Sequence, residues 1–190
     1  MPESVKSIAG LRKKFDELPD GIQAMLGDQI KTLLNHAENL DLLIAFCFMK
    51  IEQAHHRALI GGVVKKLHCN SQLATKIISQ QHMTRKKFLE LFNATFGKPL
   101  DSATKFHHSK AVKVRDAIIH GKSTTPSEKR VAIAHCFAYM AALNNQVYDL
   151  AKFNPLKDMR GYKGRKAGLS KGQTKWILMG IGYSQKPDDS

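Results

Sequence analysis

The sequence predicts an all-α protein, a bundle of four to five helices followed by a basic C-terminal extension. Three observations lead there. Apolar residues recur at helical spacing and never alternate over a strand's length. Gly and Pro gather at segment boundaries, and residues suited to N-capping stand just ahead of the periodic stretches.

Taken in order, a first helix is expected over about 4–18, stopped by "LPDG". A second runs from about 21 to 60, with a break admitted near Asn35–Asn39, and ends at Gly61–Gly62. Its stretch Leu40–Ile51 is apolar almost all round apart from Asp41 and Lys50, which predicts a central buried helix. A third begins near Ser71, which can cap it, and reaches about Gln81. The next spans about 84–96, with Thr84 as N-cap and Gly97 just past its end. Asp101 or Ser102 caps a further helix that Gly121 terminates. "TPSE" at 125–128 is the clearest start signal: Thr125 caps, Pro126 takes the first helical position, and Glu128 closes a capping box. The helix that follows, about 126–153, is apolar through Val131–Leu143 and should be deeply buried.

From Asn154 the composition changes, which divides the chain into a helical domain over 1–153 and an arm over 154–190. Residues 155–176 carry seven basic side chains against Asp158 alone, a net of +6, with Tyr162 and Trp176 among glycines. An extended arm that follows a phosphate backbone and stacks on bases has this composition; so does a solvated tail. The closing "WILMGIGY" at 176–183 is too apolar for a wholly solvated tail and is expected to pack on the bundle or on a second subunit.

The whole chain of 190 residues holds 30 Lys and Arg against 16 Asp and Glu, a net of +14. A field of that sign attracts polyanions, above all nucleic acid. Cys47, Cys69 and Cys136 are scattered, without the spacing of a disulfide framework or zinc site, and suit a reducing cytoplasm. The polar N-terminus opens no secretory signal, and the longest apolar stretch, Leu42–Met49, is too short to cross a bilayer. No membrane partner is expected.

The candidate chemistry lies in "RDAIIHGK" at 115–122. Five residues of α-helix turn about 500°, so Arg115 and His120 point about 140° apart and do not stack. Asp116 and His120 are four apart and share a face with Ser109 and Lys113, which lets Asp116 orient the imidazole. The helix C-terminus favours the imidazolium at His120. Between the two functional residues lie Val112 and Ile119, an apolar ridge suited to a two-fold interface. His108, two turns before Arg115, can line the same cleft. The Arg-to-His spacing recurs in Arg130 and His135, where the histidine sits among Ala, Ile and Phe and reads as a core residue.

"RDAIIHG" resembles the R-x(4–6)-H signature of the HEPN superfamily, in its spacing, the acid after the arginine and the glycine after the histidine. Its place on a late helix followed by one more long helix is similar too, over about residues 20–153. The resemblance implies a HEPN-like bundle acting as a metal-independent, cofactor-free endoribonuclease. Its active site would be composite in a homodimer, as in toxin–antitoxin or phage-defence systems. It implies that His120 moves protons at the ribose 2′-hydroxyl or the leaving oxygen, that Arg115 binds the scissile phosphate, and that Asp116 orients. The products would be 2′,3′-cyclic phosphate and 5′-hydroxyl ends. RNA contacts are expected from His108, Lys113 and Lys122, and on the arm from Arg160, Lys163, Arg165 and Lys166. Lys122 stands where related toxins often carry a modifiable tyrosine, which argues against that mode of control and leaves a binding antitoxin or defence-complex partner.

Two other readings compete with this one. Glu52 and His55 have the i, i+3 spacing of di-iron bundles, but the acids needed for a second half-site are missing, so no metal is expected. A non-catalytic nucleic-acid-binding dimer or scaffold would keep the fold and the charge but would not need Arg115 and His120 at that spacing.

Overall fold

Capping chemistry sets most of the helix boundaries. The structure, a computed structural model, describes residues 5–35, 39–157 and 168–184, with Pro2 and Met159. Among these residues all regular structure is helical, in eight helices rather than four or five: α1 (Ile8–Asp16), α2 (Asp20–Asn35), α3 (Leu40–Lys66), α4 (Ser71–Ser79), α5 (Arg85–Phe96), α6 (Ser102–Ile119), α7 (Pro126–Ala151) and α8 (Lys171–Gly180). None is long and apolar enough to cross a membrane.

Thr84 caps α5 by accepting from Lys87 N–H at 3.2 Å, and Gly97 closes it in the left-handed region at φ 72°. Asp101, not Ser102, caps α6, its Oδ1 accepting from Thr104 N–H at 2.7 Å. At α7 the capping box forms as the sequence implies: Glu128 N–H donates to Thr125 Oγ1 at 3.2 Å, and Thr125 N–H donates to Glu128 Oε2 at 2.8 Å. On α4 the cap is Asn70 rather than Ser71, with Leu73 N–H on its side-chain oxygen at 3.0 Å.

The chain divides into two compact units, and the division cuts α3 and α7. Unit 1 comprises residues 1–53 and 101–145. It draws on α1, α2, the first half of α3, α6 and most of α7. Its core includes Leu11, Phe15, Leu26, Ile30, Leu43, Ile44, Ile51, Ile133, Phe137 and Leu143. Phe15 and Phe137 meet at a ring separation of 6.2 Å. Contrary to expectation, Leu40–Ile51 is not buried all round, since Leu42 and Met49, two turns apart, stay exposed. Of Val131–Leu143 on α7, Ala132–Phe137, Tyr139, Met140 and Leu143 are buried, while Val131, Ala138, Ala141 and Ala142 are half-buried.

Unit 2 comprises residues 54–100 and 146–190. Phe88, Phe92 and Phe96 of α5 run as a ladder at 5.7 and 4.5 Å, and His55 lies flat on Phe88 at 3.6 Å. Two expectations fail here. First, α3 does not stop at Gly61–Gly62 but continues to Lys66. Both glycines are places of close approach instead. A Cβ on Gly61 would collide with the ring of Phe153, and one on Gly62 would lie 2.7 Å from both Phe96 Cζ and Thr95 Cγ2.

Second, the segment expected to be an extended arm contains α8. Ser170 and Gln173 form a full capping box, and Asn70 N–H donates to Thr174 Oγ1 at 2.9 Å. Within "WILMGIGY" Leu178 and Tyr183 are buried while Trp176 and Met179 stay exposed, so one side of the stretch packs back on the protein, as does Thr174 just before it. Burial pushes the Tyr183 phenol well above its usual titration range.

Two predictions come from this architecture. Gly62→Ala should lower stability by about 1–2 kcal/mol, because an overpacking cost of about 1–3 kcal/mol exceeds the gain of up to about 1 kcal/mol in helix propensity. The midpoint of urea unfolding reads the sign. The Thr125 hydrogen bonds hold the exposed Glu128 carboxyl below its usual value. A depressed carboxylate stabilises the fold above its unfolded-state pKa and loses that contribution as pH falls through the folded one. The Tm difference between wild type and Glu128→Ala should therefore be present at neutral pH and vanish on acidification through the carboxylate range.

Candidate active site

The last turn of α6 ends in the way its sequence dictates. His120 is the C-cap, and Gly121 adopts φ 67°. Gly121 N–H donates to Ile118 O at 3.0 Å and Lys122 N–H to Ala117 O at 2.8 Å, the paired bonds of a Schellman motif. His120 N–H still reaches Asp116 O at 3.0 Å, so helical register persists through His120 and keeps the two side chains on one face.

Arg115 is held on two sides. Its Nε and Nη2 donate to Asp116 Oδ1 at 3.0 and 2.7 Å. Its guanidinium carbon stands 4.6 Å from the centre of the Phe48 ring on α3. The Nε–Nη2 edge of the fork is thereby engaged, while Nη1 makes no hydrogen bond among the described residues. Side-chain exposure is 32% for Arg115 and 45% for Asp116, so the pair is reachable from solvent. Cation–π contact adds about 0.5–1 kcal/mol at such a site.

The structure gathers some of the expected residues and separates others. Arg115 and Asp116 are joined directly. His108 shares the Phe48 ring with Arg115, at 6.1 Å, and stacks on Tyr139 of α7 at 4.7 Å. Burial drives the Tyr139 phenol far above its usual value, so it stays neutral. His120 is exposed, and its imidazole has no hydrogen-bond partner among the described residues; the Asp116 carboxylate engages Arg115 instead. Lys113 and Lys122 are both exposed. The apolar ridge is reduced to one residue, because Val112 is part of the unit 1 core while Ile119 is 67% exposed. Arg160, Lys163, Arg165 and Lys166, with Tyr162, lie outside the described residues.

Side chains absent from the sequence-based site complete its floor. Phe48 and Tyr139 support the arginine and His108 from elements far away in the chain, and no local pattern reveals them. Beside them His107 and His135 meet Nδ1 to Nδ1 at 2.9 Å, with Phe106 edge-on to both rings. One Nδ1 must donate and the other accept, so the two rings cannot both be cations in this geometry. His135 is buried, as its apolar neighbours imply, but in a polar contact. Beneath lie Cys47 and Cys136, both fully buried and free. The hydrogen bond to Cys47, then burial, push the Cys136 thiol well up, with the charge of Arg115 acting the other way.

Among the described residues no group of three or more His, Cys, Asp or Glu is placed to hold a metal ion. His55 is committed to Phe88 in unit 2, and Glu52 is exposed. Comparison with models of known families, with curated proteins and with solved structures finds no match.

The Arg115–Phe48 contact should be measurable as a coupling. In a double-mutant cycle of Arg115→Ala and Phe48→Leu, unfolding free energies should show an interaction of about 0.5–1 kcal/mol. Strict additivity would mean that the ring is only packing.

Proposed function

We propose that the chain is a metal-independent endoribonuclease of HEPN type, with Arg115 and His120 as its catalytic residues. The observation that supports it best is the state of Arg115. Its guanidinium is fixed by Phe48 and Asp116 on the same helix turn that ends in an exposed His120, with one nitrogen uncommitted. A phosphodiester presents two oxygens to such a fork, which lysine cannot match.

In the reaction the ribose 2′-oxygen bonds to phosphorus as the bond from phosphorus to the 5′-oxygen breaks. The 2′-hydroxyl gives up its proton, and the 5′-oxygen takes one up. His120 serves one of these transfers, and Arg115 stabilises the charge on the phosphate. Asp116 is a positioning residue with two stations. Phosphate taking the guanidinium frees its carboxylate for the imidazole on the same face, so that substrate binding and histidine orientation are coupled. The exposed Ile119 beside His120 suits contact with a second copy, which would make the site composite. An antitoxin or defence-complex partner would act by covering this end of α6.

One observation favours a second reading, a non-catalytic nucleic-acid-binding module or scaffold. With Asp116 on Arg115, nothing among the described residues fixes the His120 tautomer.

The deciding measurement is cleavage of labelled RNA in EDTA. Wild type should leave cyclic phosphate ends, while Arg115→Ala and His120→Ala should each lose at least about 100-fold in rate. Salt-sensitive binding without cleavage in all three would establish the binding module instead.

A further inference from the structure

The charge of this chain is not spread evenly. Unit 1, which holds Arg115 and His120, has 13 Lys and Arg against 11 Asp and Glu, a net of +2. Unit 2 has 17 against 5, a net of +12. The field that attracts polyanions therefore belongs to unit 2, and the question is which surface of that unit receives them.

One face of α8 has the required chemistry. The helix buries Thr174 and Leu178 and turns Lys171, Lys175, Trp176 and Met179 outward. Trp176 is 78% exposed, the most exposed of the large apolar side chains among the described residues. A helical side chain leans over the turn N-terminal to it, and there Gly172 offers no side chain and nothing near its Cβ position. The indole face is thus left open on the side where a planar group would lie. Lys175 and Lys171, one turn apart, stand together on one side of it, about 100° and 140° round the helix axis, and α8 contains no acid.

We propose that this outer face of α8 is a stacking platform for single-stranded RNA. Trp176 takes a base, and Lys171 and Lys175 take the adjoining phosphates. Stacking is sequence-tolerant because every base has a π face, and the net charge of unit 2 holds the backbone. A duplex does not fit, since its bases are already stacked. An anionic membrane fits less well. Leu178 is turned inward, so the exposed apolar area is one indole and one methionine on a ten-residue helix, too little for interfacial insertion. The choice of RNA among nucleic acids rests on the ribonuclease reading; the open indole and the charge do not.

Trp176 is the only tryptophan in the chain, so its fluorescence reports on this face alone. The full chain would be titrated with a short single-stranded 2′-O-methyl oligonucleotide, which lacks the nucleophile for cleavage, with its duplex, and with phosphatidylserine vesicles. The single strand should quench the emission, and the duplex should leave it nearly unchanged. With a labelled strand, Trp176→Ala should bind about 5- to 100-fold more weakly, with Trp176→Phe recovering most of the loss. Lys171→Gln with Lys175→Gln should lower the slope of log affinity against log salt by about 1.4. Unchanged emission, or equal affinity in Trp176→Ala, overturns the platform. So does a blue shift on vesicles with no response to the oligonucleotide, which would assign the face to a membrane. Quenching in a protein that cleaves no RNA in EDTA keeps the platform and removes the nuclease; cleavage without quenching does the reverse.

Discussion

The 27 residues of α3 meet the rings of Phe153 and Phe96 at their backbone only because no side chain projects from Gly61 or Gly62. The helix supplies Leu43, Ile44 and Ile51 to the core of unit 1, and Ala58, Leu59 and Val63 to that of unit 2. Two interior glycines cost about 2 kcal/mol in helix propensity. They let the rings of Phe153 and Phe96 lie directly on the helix backbone, and a well-buried phenylalanine is worth about 3–5 kcal/mol against alanine. Packing therefore outweighs propensity, and a pair that reads as a stop becomes the middle of an element. Arg57 adds to the same region, donating to the carbonyls of Pro155 and Lys157.

The same balance of local signal against tertiary context decides what could be read in advance. Where a boundary depends on residues within one turn, the sequence is sufficient. Thr84 and Gly97, Asp101, and Thr125 with Pro126 and Glu128 all act through hydrogen bonds spanning three or four positions. The Ser170–Gln173 box around α8 was equally local. It was obscured because the composition of 155–176, net +6 with four glycines, dominates any reading by regional average. The glycine pair in α3 needed knowledge of Phe153, some ninety residues on, which no window contains.

The candidate site divides along the same line. Arg115, Asp116 and His120 were visible because they share a helix and a register, and Gly121 marks its end. Phe48 and Tyr139 were not, because the rings under Arg115 and His108 belong to α3 and α7. The charge asymmetry was present in the sequence but had no meaning until the units were known, since unit 2 is assembled from two separated segments. Averaged over the chain, +14 suggests a generally basic protein; divided, it leaves the motif-bearing unit close to neutral.

Near-neutral surroundings bear on how Arg115 would meet a phosphate under the proposed function. Its pairing with Asp116 is half exposed, and ion pairs of that kind are worth about 0–1 kcal/mol. A phosphate offers the guanidinium charge-assisted hydrogen bonds in the same fork geometry, so it competes directly with the carboxylate for Arg115. Phe48, with its ring centre 4.6 Å from the guanidinium carbon, takes up none of its hydrogen bonds and so does not compete in that exchange. The released carboxylate shares its face of the helix with His120, four residues on, and with Lys113, three residues back, so the imidazole is within its reach. An aspartate that competes for the arginine in the free protein is, for that reason, compatible with a positioning role in the bound one.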